Sequence, residues 1–167
     1  MKELLDKISS YNLFNYLLPG VLFAVLAGST TSYVFIQSDI VVGVFVYYFI
    51  GLVISRVGSV ILEPAFRRLS VVKFAPYTDF VSALTKDAKL EILSEANNMY
   101  RTFCSLFLLL ALLKIYESLA AQVPLMTDLS EYILVGALLL LFVFAYRKQT
   151  QYIVGRIRAV NNAHKEK

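Results

Sequence analysis

Four stretches of this chain are apolar for long enough to cross a bilayer, and that property leaves few folds open. A spanning helix takes about 20 apolar residues, because each rises about 1.5 Å through a hydrocarbon core about 30 Å thick. Residues 11–36, 40–62, 102–121 and 131–146 meet or approach that length; the last contains YILVGALLLLFVFAY, and Leu129 extends it outward. Inside lipid, backbone polar groups must be bonded within their own segment, so each stretch reads as a helix and the fold class as all-α. Composition agrees: 58% of the 167 residues are hydrophobic and 17% charged, against about a half and a quarter in soluble domains. The first stretch follows Lys2 and Lys7 as a signal peptide would. LAGSTTSYVF nevertheless stays apolar past any small-residue cleavage site, so the stretch counts as a span.

Lysine and arginine favour the cytoplasmic side of a membrane protein. The loops at 37–39 and 122–130 hold neither; the N-terminus holds two, 63–101 six and the tail six, leaving Arg56 and Lys114 within spans. A polytopic protein with four transmembrane helices and both termini cytoplasmic follows. Its parts are an amphipathic segment over 1–10 (Leu4, Leu5 and Ile8 before Ser9 and Ser10), a transmembrane hairpin over 11–62, a cytoplasmic helical hairpin over 63–101, a second transmembrane hairpin over 102–146, and a basic tail over 147–167 that extends span four. In the 63–101 segment, Thr78 or Asp79 can cap a first helix and Thr85 or Asp87 a second, which carries Leu90, Leu93, Ala96 and Met99 at helical spacing and runs into span three. Tyr146, Ile153, Ile157 and Val160 make one apolar stripe on the tail, suited to a neighbouring helix or to lipid headgroups.

Charge inside the spans is the sharpest functional signal. At 100° per residue, Arg56 and Glu63 fall almost in line with Ser59 between them, while Gly43, Gly51 and Gly58 fall near the opposite face, where they permit close helix packing. Arg56 either snorkels to the headgroups or faces an enclosed, water-accessible interior; Glu63, about 10 Å along the axis, would meet it end to end or through water. Burying both faces of span two is easiest in a homo-oligomer. Lys114 and Glu117, one turn apart, form either a self-neutralising pair or part of a pore lining. These five residues (Arg56, Ser59, Glu63, Lys114 and Glu117) are the candidates for lumen or gate support. Pro19 and Gly20 mark a hinge or a fixed bend in span one.

Arg67, Arg68, Lys73, Arg101, Arg147, Lys148, Arg156 and Arg158 gather at the inner membrane face. They suit anionic lipid, or a polyanion such as a nucleotide or short nucleic acid held by an oligomer, with Asn97, Asn98, Asn161 and Asn162 to bond a base and Tyr100 and Tyr152 to stack on it. Catalysis finds no constellation. His164 is the only histidine and stands in the tail, Cys104 is a lone cysteine in an apolar stretch and reads as a packing residue, and neither zinc spacing nor a glycine-rich phosphate loop occurs. The expectation is no enzyme, no cofactor and no metal.

With YNLFNYLLPGVLF leading the first span and SRVGSVILEP closing the second, the whole chain resembles small bacterial four-span membrane effectors of anti-phage defence systems, of the type of the Hailong effector (held closed by DNA oligomers) and the membrane subunit of Kiwa. The resemblance lies in size, span count and overall pattern, and no individual residue role is carried over from it. It implies a bacterial inner-membrane location, a tetrameric assembly, and an ion channel that depolarises or permeabilises the membrane when its cytoplasmic helices sense a signal. A non-conducting anchor for a cytoplasmic protein partner and a small multidrug-type transporter are the other readings.

Overall fold

The structure, a computed structural model, describes the backbone of residues 12–165 and the side chains of 12–123 and 125–161. The segment expected over 1–10 and the side chain of His164 lie outside the described residues. Every regular element among the described residues is helical. Four helices are long and apolar enough to cross a membrane: α1 (Leu13–Thr30), α2 (Ile40–Arg68), α4 (Lys89–Ala120) and α6 (Ser130–Asn161, continuing to Lys165). Two short helices complete the order, α3 (Tyr77–Leu84) and α5 (Pro124–Asp128).

Two of the spans carry a π-helical turn, Leu13–Leu17 in α1 and Gly58–Leu62 in α2. In both, the closing amide reaches five residues back, Leu18 N–H to the Leu13 carbonyl and Glu63 N–H to that of Gly58. In both, a proline follows two residues after the turn, Pro19 and Pro64. Proline lacks an N–H, and its ring crowds the carbonyl four residues before it. Widening the preceding turn relieves that crowding and keeps the helix continuous. Each such turn inserts one residue, which rotates everything beyond it by about 100° relative to a regular helix.

Helices α1 and α2 pack backbone to backbone. A Cβ on Gly20 would collide with the Tyr47 carbonyl, and one on Gly51 with the Tyr16 carbonyl. Without a hydrophobic drive between helices in lipid, this close approach is what glycine contributes. Pro19 and Gly20, expected as a hinge or a bend, thus sit buried in a tight helix contact. Helix α4 closes a three-helix core in which Phe23, Ala27, Ile54 and Leu106 are buried together. Helix α6 lies outside that core; near its middle it meets α2 through stacked Phe49 and Phe142 rings, 6.2 Å between centroids.

Span one ends at Thr30 rather than reaching Ile36. The hydroxyls of Ser29, Thr30 and Thr31 donate to the carbonyls of Leu26 and Ala27, and the chain then runs without regular structure until α2 begins at Ile40. Span two runs past Leu62 through Pro64 to Arg68 and stops in a Schellman turn: Ser70 is left-handed (φ 58°), Ser70 N–H reaches the Arg67 carbonyl, and Val71 N–H that of Phe66. Glu63 therefore belongs to the span helix and not to a separate hairpin. Helix α3 begins after Pro76 without a side-chain cap; the expected cap Thr78 donates its hydroxyl to Asp79 instead. The next helix has Ala88 at its N-cap rather than Thr85 or Asp87 and no side-chain cap bond, though Asp87 just before it accepts from Lys89 N–H at 2.9 Å; α4 runs unbroken into span three. At about 1.5 Å per residue, α4 (32 residues) and α6 (36 residues) are about 48 and 54 Å long. Both overshoot a hydrocarbon core of about 30 Å, and α3 packs against the overshoot of α6.

Candidate functional site

At that end of the bundle a single carboxylate gathers three cations. Glu63 is 6% exposed; its Oε2 accepts from Arg101 Nη1 at 2.6 Å, and its Oε1 lies 3.1 Å from Lys148 Nζ and 3.4 Å from Arg67 Nη2. Lys148 also donates to the carbonyl of Ser59. The π turn leaves the helix ladder loosened at this point, which makes that carbonyl accessible to a side chain. The hub thus joins the end of α2 to α4 through Arg101 and to α6 through Lys148. Arg101 and Lys148 are 19% and 22% exposed, so two of the three cations are largely withdrawn from water, whereas Arg67 is half exposed and also lies 4.2 Å above the Phe74 ring. With one carboxylate against two guanidiniums and one ammonium, the cluster carries a formal net charge of +2.

Arg56 takes no part in it. Its Nη2 donates to the Tyr16 hydroxyl on α1 at 3.1 Å, and its Nε is buried without a partner among the described residues. Arg56 and Glu63, expected in line on one face and meeting end to end or through water, stand instead at two separate sites, because the π turn between them breaks the alignment of a regular helix. For the same reason Gly58, expected opposite Glu63, faces Arg101 as Glu63 does: a Cβ there would lie 2.6 Å from Ser105 Oγ and 3.3 Å from the Arg101 carbonyl. Gly51 packs on α1, while Gly43 meets only the ring of Tyr47 in its own helix.

Lys114 and Glu117 form the expected pair, 2.7 Å apart and 61% and 21% exposed. Glu117 also accepts from Ser32 N–H, which ties the segment after α1 to α4 at the end away from the hub. There, desolvation, followed by the neighbouring Tyr116 and Glu117, raises the Tyr33 hydroxyl above its usual value.

Beside the hub opens a cleft of about 390 Å³ lined by Glu63, Arg67, Tyr77, Lys148, Tyr152 and their neighbours. Its outer wall is the contact of α3 with α6, where the Tyr77 and Tyr152 rings lie 5.6 Å apart and Gly155 leaves room for Tyr77. The α6 face that packs here carries Lys148, Tyr152, Gly155 and Ala159. The apolar stripe, expected to meet a neighbouring helix or lipid headgroups, is turned outward from this packing: Tyr146 is 77% exposed, Ile153 53%, Ile157 55% and Val160 41%. Tyrosine and lysine won the packed face because the buried carboxylate and the Tyr77 ring supplied partners that aliphatic side chains lack. Cys104, expected as a packing residue, is exposed on α4. Arg68, Lys73, Arg147, Arg156 and Arg158 are exposed and form no ion pair among the described residues.

Arg101 and Lys148, read from sequence as lipid or polyanion contacts, thus answer Glu63 instead. The distances along the chain, 38 and 85 residues, hide the pairing. One signal was nevertheless present: in a four-span topology the end of span two, the start of span three and the end of span four lie at one level. The chain is a membrane protein, all-helical over its described residues, with four candidate spans, three of them tied together at one end by a buried ionic hub. Comparison with known protein families, with characterised proteins and with solved structures finds no match to any of them.

Proposed function

We propose that the protein is a homo-oligomeric effector of the bacterial inner membrane, a channel opened through its cytoplasmic helices, of the kind that depolarises a cell in anti-phage defence. The observation that carries this reading is the hub. One buried carboxylate ties the end of α2 to α4 and α6, and the cleft beside it is walled by α3 and the α6 extension. An anion drawn to Lys148 and Arg67 competes with Glu63 for them; a change in the α3–α6 layer then reaches the spans by freeing α6 from α2. The clustering of basic residues at this end supports its placement in the cytoplasm. A conducting path would be built between copies, with the hub supporting the gate. Arg56 and Ser59 act in the same support, through Tyr16 and through the carbonyl given to Lys148.

The test is ion flux from liposomes holding the purified protein, together with growth and membrane potential in cells. Lys148→Met should raise flux and growth arrest at equal membrane insertion. No flux from wild type or variant, with or without nucleotides and short oligonucleotides, overturns the reading. A second reading, a non-conducting anchor for a cytoplasmic protein, draws on the fact that Glu63 and Arg56 both find partners within one chain. It predicts silent liposomes and a stoichiometric partner captured through the outward stripe of α6.

A further inference from the structure

Between α2 and α6 runs an apolar groove of about 610 Å³, within the range of about 300–1,000 Å³ typical of small-molecule sites. Its α2 wall is Ile61, Ala65 and Arg68, and its α6 wall is Ala137, Leu140 and Phe144. Steps of three and four residues keep each set on one helix face. Arg68 is part of the groove's lining, and on α6 a step of three from Phe144 reaches Arg147, one turn beyond the lining. The two arginines lie at the same end, because Lys148, next to Arg147, touches Glu63, little more than one turn before Arg68. Neither guanidinium has an ion-pair partner among the described residues, and both are exposed.

We infer that this groove is a binding site for an anionic phospholipid, with an acyl chain between α2 and α6 and the headgroup phosphate bridged by Arg68 and Arg147. An apolar trough about 10 Å long beside two guanidiniums without ion-pair partners among the described residues matches part of an amphiphile whose phosphate sits at the membrane surface. A second copy of the chain fits less well: the carboxylate that α2 carries near this level, Glu63, is buried and held by its own cations. The inference rests on membrane insertion and not on the gating proposed above. It gives α6, which the core leaves outside, a lipid wedge against α2.

The chain contains no tryptophan, so Phe144→Trp places a sole fluorophore in the groove, and Leu140→Trp serves if that variant fails to fold. Phe45→Trp, on an exposed stretch of α2 far from the arginines, is the control. In vesicles containing small fractions of brominated phosphatidylglycerol or brominated phosphatidylcholine, the groove tryptophan should be quenched preferentially by the anionic lipid. The preference should fall roughly fivefold for each of Arg68→Gln and Arg147→Gln, with no preference at the control position. Inorganic phosphate should not displace the lipid. Equal quenching by the two lipids overturns the proposal. So does a groove tryptophan that neither lipid quenches, which is the outcome if a second copy fills the groove.

Discussion

Replacing Glu63 by Gln keeps the shape of the hub and removes its charge, leaving Arg101 and Lys148 largely buried with no counter-ion. Deleting one member of a buried ion pair costs about 3–5 kcal/mol. The Arg67 contact adds little, because that guanidinium is half exposed and exposed pairs contribute about 0–1 kcal/mol. The cleft admits water to one side of the carboxylate, which places the expected loss at the lower end, about 3 kcal/mol. Against a typical total of about 5–15 kcal/mol, that is a large fraction of the stability. The assay is reversible unfolding in mixed micelles with rising SDS mole fraction, followed by near-ultraviolet dichroism of the tyrosines. A double-mutant cycle sharpens it: Lys148→Met in the Glu63→Gln background removes a cation that has lost its partner, so the two losses should fall short of additive by about 1–3 kcal/mol. A single variant within about 0.5 kcal/mol of wild type, or a cycle with no coupling, would refute the hub as the tie between α2 and α6.

Three further outcomes follow from particular contacts. Gly51→Ala should cost about 3 kcal/mol or more, since the added methyl meets the Tyr16 carbonyl, a backbone atom that cannot turn aside, whereas Gly136→Ala, with open space around it, should be near neutral in the same titration. Ser70→Gly should stabilise by about 1 kcal/mol, because the left-handed backbone at φ 58° suits glycine, and a drop in stability would argue against the Schellman turn. Glu117→Ala should leave global stability close to that of wild type, as its ion pair with Lys114 is exposed, yet raise amide exchange at Ser32 roughly tenfold or more, read by hydrogen–deuterium exchange.

Much of this was legible in the chain. Four apolar runs fixed the number of spans, and the placement of Asp87 marked where α4 begins. The Lys114–Glu117 pair could be read because its partners are one turn apart. Packing residues were less legible: the tail periodicity identified an apolar stripe, and the structure packs the neighbouring face, where Lys148 and Tyr152 find Glu63 and Tyr77.

By itself the sequence determined the class of fold, because a bilayer imposes one requirement on every residue of a run: backbone groups satisfied locally and apolar side chains outward. The tertiary structure alone decided what the charges do. Two prolines widen the turns before them, and in α2 the inserted residue rotates Glu63 away from Arg56, toward Arg101 and Lys148. A helical-wheel angle carries no record of that rotation, and local spacing carries none of a partner 85 residues away.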